Sequence, residues 1–300
     1  MTTTTQRPTA QPATLKNKPT ALQIPALRKL RWLVHGFSTR PGGTSTAYGD
    51  QALNLGFTAH DARAPVERNR ALLLASVGAG TAKKPWPIAT VRQIHSDLIH
   101  VVRSPEPERP AADGLVTNVP EVALGVLTAD CFPVLLVDKK NHAVGAFHAG
   151  WRGTVQRIAV KGLGIMRKEY GTDPGDVVAV VGPGIQKCCY EVGDELKAKF
   201  ESQFAFADKL FHYTRDSDPV REKYPLLFMN MRAPGHGDLC EKLHLDLQLA
   251  NRLQLEEAGV PTRQISTISD CTACNTRKFF SHRAEKGHTG RMMAVIGLKK

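Results

Sequence analysis

The segment ADCFPVLLVDKKNHAVGAFHAGW, residues 129–151, contains two apolar runs around a polar tip and therefore predicts a β-hairpin. If the turn is centred between Lys139 and Lys140, the numbers of paired residues sum to 279 and Cys131 lies directly opposite His148. Directly opposed residues point to the same face of a sheet, with Cβ atoms about 4.5 to 5.5 Å apart. The segment thus brings a thiol next to an imidazole, whereas a slip of one residue would send His148 to the other face.

A thiol beside an imidazole has three physical interpretations. A soft thiolate and a histidine nitrogen are typical zinc ligands. The same pair is typical of a nucleophile with its general base. The third interpretation is a buried cysteine next to a histidine whose hydrogen bonds are satisfied elsewhere. From Cys131 and His148 alone, all three interpretations stay open.

The remaining hydrophobic pattern mixes short strands with helices. Helical spacing occurs in a segment opened by Pro65 that ends before Gly78, and at 154–170 and 243–258, each followed by glycine. Short apolar runs predict strands at 32–37, 89–94, 98–102, 115–117, 123–127, 134–137, 177–181, 264–268 and 292–296. There is no regular βαβ alternation and no G-x-G-x-x-G motif after a strand. The sequence therefore predicts an α/β (α+β) protein with mixed sheets packed with helices.

Composition sets the limits of this domain. Residues 1–25 are rich in Thr, Pro, Ala and Gln and predict a disordered tail, so that the folded domain spans 26–300. The irregular segment 204–240 predicts a loop excursion. No apolar run approaches the roughly 18 residues of a membrane helix, and the first residues have no apolar signal core. With six cysteines in 300 residues, we expect a cytoplasmic protein without membrane association.

The net charge of +12 is concentrated near the start of the chain. Seven Lys and Arg residues precede Asp50, the first acidic residue, so that the remaining chain carries only +5. No dense basic stripe with interleaved aromatic residues follows. We therefore expect no nucleic-acid binding.

Three sequence blocks carry a resemblance to a known family. VRQIH at 91–95, TADCFPV at 128–134 and HAGWRGT at 148–154 resemble the signature blocks of the family called YfiH, multicopper polyphenol oxidase (laccase domain) or peptidoglycan editing factor. Supporting blocks follow in order along 32–298: TRPGG at 39–43, LNLG at 53–56, ERNR at 67–70, GPGI at 182–185, YEV at 190–192, FFSHR at 279–283 and GR at 290–291. The resemblance implies a single domain with mixed α/β architecture.

The resemblance also implies a metal centre and a reaction. Its zinc ligands carry over onto His95, Cys131 and His148, and three protein ligands with an open fourth position are typical of a catalytic zinc. Such a donor set also accepts Cu²⁺. The implied substrates are purine nucleosides and phosphate. The implied reactions are phosphorolysis of adenosine, inosine and methylthioadenosine to the base and (methylthio)ribose 1-phosphate, and deamination of adenosine to inosine, for which zinc would activate water.

Four further residues are candidates for this chemistry. Asp130 is the candidate carboxylate for proton transfer in deamination, and a hydrogen bond to the turn is its structural alternative. Arg40, in an Arg-Pro-Gly-Gly turn, and Arg152 are candidate phosphate ligands, and each has a purely structural alternative. Asn54 is a candidate substrate contact or a residue that satisfies a turn.

Three other functions compete with a nucleoside enzyme. Polyphenol oxidation by a three-copper cluster relies on His-x-His pairs, and none of the 11 histidines lies two residues from another, which leaves a single copper at the His₂Cys set. A peptidoglycan-precursor editing amidase would use Cys131 as nucleophile and His148 as base, or zinc. A zinc-stabilised interaction module is disfavoured, because structural zinc sites are usually closed by four ligands.

The remaining cysteines predict no second metal site. Cys271 and Cys274 form one C-x-x-C without a second, so the partner pair of a Cys₄ zinc site is missing. A thioredoxin-like site would need a βαβ context that the pattern does not provide. Both this pair and the adjacent Cys188 and Cys189 are therefore expected to be structural or incidental thiols.

Overall fold

The computed structural model describes residues 19–104, 109–215 and 241–300. Within these ranges the chain forms fifteen strands and six α-helices, with short 3₁₀-helices at Pro174–Asp176, Ala207–Leu210 and Thr262–Gln264. The strands are β1 (Ala21–Leu22), β2 (Leu33–Ser38), β3 (Pro41–Ser45), β4 (Ile88–Thr90), β5 (Ile99–Val101), β6 (Gly114–Thr117), β7 (Ala123–Thr128), β8 (Phe132–Asp138), β9 (Ala143–Ala149), β10 (Val177–Val181), β11 (Glu191–Val192), β12 (Phe211–Arg215), β13 (Glu241–Leu245), β14 (Ile265–Thr267) and β15 (Met292–Leu298). The helices are α1 (Pro25–Arg28), α2 (Arg63–Ser76), α3 (Trp151–Val155), α4 (Ile158–Tyr170), α5 (Asp194–Glu201) and α6 (Leu247–Glu257).

Most of the strands form three mixed or antiparallel sheets. The five-stranded sheet has the order β1-β2-β15-β7-β4, the six-stranded sheet the order β14-β10-β8-β9-β6-β5, and the three-stranded sheet the order β11-β13-β12. The pairs β4/β7, β5/β6 and β10/β14 are parallel, and the other pairs in these sheets are antiparallel. Mixed sheets packed with helices confirm the predicted fold class.

The two large sheets pack face to face, and helices cover their outer faces. Along β8, Val134 and Leu136 belong to the apolar cluster that includes α4 and α6, whereas Leu135 and Val137 belong to the cluster shared with the five-stranded sheet. Because successive strand residues point to opposite faces, β8 is buried on both sides, which explains its continuous apolar run. On the far side of the five-stranded sheet, Leu73 of α2 packs with residues of β2 and β15. The layers are therefore helix, sheet, sheet, helix.

The predicted hairpin exists as β8 and β9, but the predicted register is wrong. Asp138 pairs with Ala143 and Pro133 pairs with His148, so paired numbers sum to 281 rather than 279. The turn moves because the Asp138 carboxylate accepts hydrogen bonds from the backbone N–H groups of Lys140 and Asn141, which fixes a four-residue connection. A shift of two residues preserves strand parity. Pro133 lies directly opposite His148, and Cys131 lies two residues before Pro133. Cys131 and His148 therefore still share one face of the sheet.

Several predicted boundaries are also corrected. The helix predicted at 154–170 is two helices, α3 and α4, because Arg157 between them has a left-handed backbone with φ 60°. The helix predicted at 243–258 begins only after Asp246, whose side chain caps it by accepting a hydrogen bond from the Leu249 N–H, and β13 precedes it. The strand predicted at 89–94 ends at Thr90. No helix among the described ranges is long and apolar enough to cross a membrane.

Two predicted irregular segments are partly within the fold. β1 pairs with β2 and α1 begins at Pro25, so the domain includes residues that were predicted to belong to the tail. The rest of the predicted tail, residues 1–18, lies outside the described residues. In the predicted excursion, Phe211–Arg215 forms β12, which pairs with β13, while residues 216–240 lie outside the described residues.

Candidate metal centre

Three side chains from separate segments converge at one end of the intersheet space. Cys131 directly precedes β8, His148 lies in β9, and His95 lies in the loop after β4. One ligand atom from each of the three lies within 4.8 Å of the others. The His95 and His148 rings meet edge to face, with centroids 4.8 Å apart. The structure therefore brings together all three predicted zinc ligands, and the two-residue register shift does not separate them.

A buried carboxylate, Asp113, organises two of the three side chains. Its Oδ1 lies 2.8 Å from His148 Nδ1 and accepts a hydrogen bond from the His95 N–H at 3.0 Å. Its Oδ2 accepts hydrogen bonds from the backbone N–H and hydroxyl of Ser96 and from the Ile94 N–H. A carboxylate on Nδ1 leaves Nε2 of His148 to face the other two ligands, which is the usual second contact of a metal-bound histidine. Asp113 thus holds both His148 and the loop that carries His95.

Sequence reasoning missed Asp113. The available signal was the Ala-Asp-Gly sequence at 112–114, immediately before the β6 run, where an acidic residue stands between apolar neighbours. An aspartate that is 0% exposed must be paired, because an isolated buried charge is very costly. Burial alone would raise the pKa of Asp113, but the hydrogen bonds from His148 and Ser96 outweigh burial and lower the pKa to about 2. Asp113 is therefore ionised at neutral pH.

The Cys131 and His148 side chains stabilise each other's charged forms. Burial alone would raise the pKa of Cys131, but the charge of His148 and hydrogen bonds with His148 and His95 lower it to about 6. Burial alone would lower the pKa of His148, but the Cys131 thiolate and the Asp113 carboxylate raise it to about 9. Without a metal ion, the pair is a thiolate and an imidazolium near neutral pH. A cation binding here would displace the imidazolium proton, since metal ligands must be deprotonated.

Gly150 provides the close approach that this site needs. A Cβ atom on Gly150 would lie 2.9 Å from Cys131 Sγ and 3.3 Å from His95 Cδ2. The backbone of Gly150, with φ −74° and ψ 174°, is one that alanine adopts without strain. We therefore expect Gly150→Ala to reduce metal content and affinity by displacing the sulfur, as measured by metal analysis and competition with a chelator.

The control for this prediction is Gly164→Ala in α4. A Cβ there would have no atom within 4 Å, and alanine in a helix interior is up to about 1 kcal/mol more favourable than glycine. This variant is expected to keep full metal content. Equal metal affinity in Gly150→Ala and in the unsubstituted protein would contradict the steric role of Gly150.

A cavity of about 610 Å³ is lined by His95, Cys131 and His148 and by four arginine residues. The arginines come from three different parts of the chain: they are Arg92, Arg109, Arg283 and Arg291. Trp151 and Tyr190 also line the cavity. Arginine clusters recognise phosphate and other anions, and aromatic faces accept planar bases. Arg92, Arg283 and Arg291 lie in the family-like sequence blocks, which was the available signal, but sequence reasoning assigned them no role.

Asp130 lines the same cavity, but both of its carboxylate oxygens have partners. Oδ1 accepts a hydrogen bond from the Thr272 hydroxyl at 2.7 Å, and Oδ2 accepts one from the Arg283 N–H at 2.7 Å. The Asp130 carbonyl accepts the Ile185 N–H at 2.8 Å. Its φ of 90° is rare for a residue other than glycine, and these contacts hold the strained backbone. These contacts match the structural alternative predicted for Asp130, in which its side chain forms hydrogen bonds that position the cavity wall.

The other three predicted substrate residues are not among those that line this cavity. Arg40 donates to the Thr276 and Tyr48 carbonyls and to the Glu285 carboxylate. Asn54 is fully buried and holds the Gly56 and Arg291 backbone. Arg152 stacks on the Trp151 ring in an adjoining depression.

Fold and site together define a class of protein: a two-sheet α/β domain with a His₂Cys donor set at the end of the intersheet space. The family model described as "Multi-copper polyphenol oxidoreductase laccase" matches residues 34–299. The chain belongs to this family, which confirms the resemblance inferred from its sequence blocks. The donor set suits one ion rather than a three-copper cluster, because the chain has no His-x-His pair.

Relatives and solved structures match along nearly the whole chain. A protein of Deinococcus radiodurans named purine nucleoside phosphorylase is 37% identical over 288 residues, which cover 94% of this chain and 96% of the relative. Purine nucleoside phosphorylase YlmD of Bacillus subtilis is 31% identical over 277 residues, with 89% of each chain covered. The crystal structure of the Bacillus licheniformis hypothetical protein YfiH superposes with a TM-score of 0.77 at 31% identity, covering 94% of this chain and 97% of that chain. The single-domain fold is therefore shared with YfiH.

Proposed function

We propose that the protein is a metal-dependent purine nucleoside phosphorylase that acts on adenosine, inosine and methylthioadenosine. The observation that supports this most directly is the cavity, which combines a His₂Cys donor set with four lining arginine residues. A phosphorolytic enzyme must hold a phosphate next to a nucleoside, and a cavity of this size accommodates both. The names of the relatives agree with this reaction.

The donor set fits a zinc ion. One thiolate and two imidazoles are zinc's preferred ligand types, and three protein ligands leave a position for substrate or water. His95, Cys131 and His148 would hold the ion, with Asp113 fixing the orientation of His148. When bound, zinc supplies a Lewis acid and a means of activating water. We propose zinc as the resident metal and note that the same donors accept copper.

The chain's own residues hold phosphate and base in place. In phosphorolysis, a phosphate oxygen forms a bond to C1′ of the ribose while the C1′–N bond breaks and the purine leaves with a proton. We assign phosphate binding to the cavity arginines, because they line the cavity and Arg40 and Arg152 do not. Arg109, Arg283 and Arg291 each donate from one guanidinium nitrogen to a backbone carbonyl, and a guanidinium has further N–H donors for an anion. Burial and the nearby Cys131 charge raise the pKa of Tyr190 to about 12, so its hydroxyl stays protonated and can donate a hydrogen bond to a purine nitrogen. Asp130 positions the Arg283 backbone.

We also propose deamination of adenosine to inosine as a second reaction of the same site, because a metal that activates water supports it. Product chromatography after incubation with adenosine and phosphate separates the two reactions. Phosphorolysis gives adenine and a rate that saturates with phosphate, whereas deamination gives inosine and needs no phosphate. Both products are expected to require an intact His148. Absence of both products from protein that contains its metal would overturn the proposed function.

One observation favours a second candidate, an amidase that uses Cys131 as nucleophile. Cys131, His148 and Asp113 form a thiolate, imidazole and carboxylate chain of the kind found in cysteine hydrolases. His95 has no place in that mechanism, yet it lies within ligand distance of both Cys131 and His148. The position of His95 therefore favours a metal enzyme over an amidase. A metal-bound thiolate is occupied, whereas a nucleophile must be free to react.

Alkylation by iodoacetamide distinguishes the two candidates. Because the pKa of Cys131 is lowered from 9.0 to about 6, the metal-free protein is expected to be alkylated at Cys131 with a rate that rises as the pH increases through about 6 and then levels off. Below that pH the thiol is protonated and its reactivity falls. Peptide mapping by mass spectrometry follows this residue separately. We expect bound zinc to protect Cys131. Rapid alkylation of fully metallated protein would favour the amidase.

A further inference from the structure

Four cysteines from two distant segments converge at a second place in the fold. Cys188 and Cys189 follow the Gly-Pro-Gly-Ile segment after β10, and Cys271 and Cys274 lie after β14. Their four sulfur atoms all lie within 4.8 Å of one another. The prediction that the C-x-x-C lacks a partner pair is therefore wrong. The missing pair is the adjacent Cys188-Cys189, which has no C-x-x-C spacing and is supplied by tertiary structure.

The distances between the sulfur atoms match a shared ion. Cys188 Sγ lies 3.8 Å from Cys189 Sγ and 3.5 Å from Cys274 Sγ, and Cys189 Sγ lies 3.3 Å from Cys274 Sγ. Four thiolates around a zinc ion at about 2.3 Å have sulfur atoms about 3.8 Å apart in a regular tetrahedron. A disulfide instead needs sulfur atoms about 2.05 Å apart, and all four cysteines are free. The cluster is close to a tetrathiolate arrangement.

Backbone hydrogen bonds hold the two segments in register at this cluster. Gly184 and Cys271 form a parallel bridge, in which the Thr272 N–H donates to the Gly184 carbonyl at 3.1 Å. The Gln186 N–H points at Cys271 Sγ at 3.4 Å, a contact that stabilises a thiolate. Asn275 donates from its side chain to the Cys271 carbonyl. The cysteines therefore stand on a preorganised loop pair rather than on independent flexible turns.

We propose that Cys188, Cys189, Cys271 and Cys274 bind a second metal ion, a mononuclear zinc in a closed tetrathiolate site. Four thiolates leave no open position, which is typical of a structural rather than a catalytic zinc. Thiolate ligands select soft or borderline cations such as zinc over magnesium or calcium. This site is separate from the His95, Cys131 and His148 set, because the two groups share no residue.

The position of the second site indicates what the ion stabilises. Cys189 directly precedes Tyr190, which lines the large cavity. On the other segment, Thr272 and Arg283 both donate to Asp130, the residue before the ligand Cys131. The ion would tie together the two segments that carry one wall of the cavity. Its loss is therefore expected to loosen this wall and to lower the thermal stability of the domain.

Metal analysis of the full-length protein tests the proposal. We expect protein purified after expression with zinc to contain two zinc ions per chain, and His148→Ala to contain one. Cys271→Ser/Cys274→Ser is expected to lose the other ion and keep the first. His142→Asn is the control, because His142 belongs to neither of the two groups of candidate ligands and the variant is expected to retain two ions. A single ion in the unsubstituted protein, with the four thiols free or joined in disulfides, would overturn the proposal.

If the double serine variant does not fold, X-ray absorption at the zinc edge tests the proposal without it. The sample is His148→Ala, in which all four cysteines are intact. We expect its remaining zinc to show four sulfur neighbours at about 2.3 Å. A shell with nitrogen or oxygen neighbours would show that the ion occupies some other site and would contradict the tetrathiolate assignment. Cobalt substitution offers the same distinction, because tetrathiolate cobalt has intense sulfur-to-metal charge-transfer absorption.

Discussion

His148→Ala is expected to abolish metal binding at the His₂Cys site and to reduce phosphorolysis by at least about 100-fold, since loss of a residue that merely orients a ligand already costs up to about this factor. His148 is 4% exposed and lies within ligand distance of both Cys131 and His95. Removing it also leaves Oδ1 of Asp113 without its imidazole partner. Steady-state kinetics with adenosine and phosphate, together with metal analysis, measure the two effects in one preparation.

The matched control is His142→Asn in the same hairpin. His142 lies in the turn between β8 and β9, where it stacks on Trp32, and its φ of 48° is a left-handed conformation that asparagine tolerates. The variant is expected to keep its metal and its activity. If His148→Ala lost no more activity than His142→Asn, the assignment of His148 to the reaction would be wrong.

Asp113→Ala is expected to weaken zinc affinity by about 10–100-fold and to lower the melting temperature markedly. The carboxylate accepts hydrogen bonds from the backbone N–H groups of Ile94, His95 and Ser96. Alanine leaves these donors without an acceptor, and each buried unsatisfied donor costs about 1–3 kcal/mol. The loop that carries His95 would lose its anchor. Chelator competition gives the affinity, and thermal unfolding of the metal-free protein gives the stability.

Asp113→Asn separates the two contributions. The amide keeps one acceptor oxygen for the loop but presents an N–H₂ group either to the loop donors or to His148 Nδ1. We expect a smaller stability loss than in the alanine variant and a clear loss of zinc affinity. Asp138→Asn is the control, because Asp138 is equally buried but holds the hairpin turn instead. Zinc affinity in Asp113→Asn equal to that of Asp138→Asn would show that Asp113 does not orient the ligand.

The sequence predicted the fold class and the proximity of Cys131 and His148 because both depend on local patterns, whereas His95 was added by the family resemblance. The apolar runs of β8 and β9 identify the hairpin, and strand parity places Cys131 and His148 on one face whether the paired numbers sum to 279 or 281. The exact register required knowledge of the Asp138 side chain, which fixes the turn. A hydrophobic pattern carries no information about such a hydrogen bond.

Contacts between segments that are distant in the chain could not be predicted from the sequence. Asp113 contacts His148, which lies 35 residues away in the sequence, and Thr272 donates a hydrogen bond to Asp130, which lies 142 residues away. The sequence pattern also could not show that the two cysteine pairs lie together, because a bridge between the distant Gly184 and Cys271 joins their segments. Rules on the spacing of cysteines in sequence describe cysteines on one loop. Here the tertiary fold sets the distances between the two cysteine pairs.

The most direct test of the central claim is the rate of phosphorolysis as a function of metal occupancy at the His₂Cys site. Metal-stripped protein is titrated with zinc, and occupancy is taken as the difference in zinc content between the unsubstituted protein and His148→Ala under the same conditions. We expect ribose 1-phosphate and free purine to form at a rate proportional to that occupancy, with negligible turnover before zinc is added. Full turnover in the stripped protein, or none at full occupancy, would contradict a metal-dependent phosphorylase.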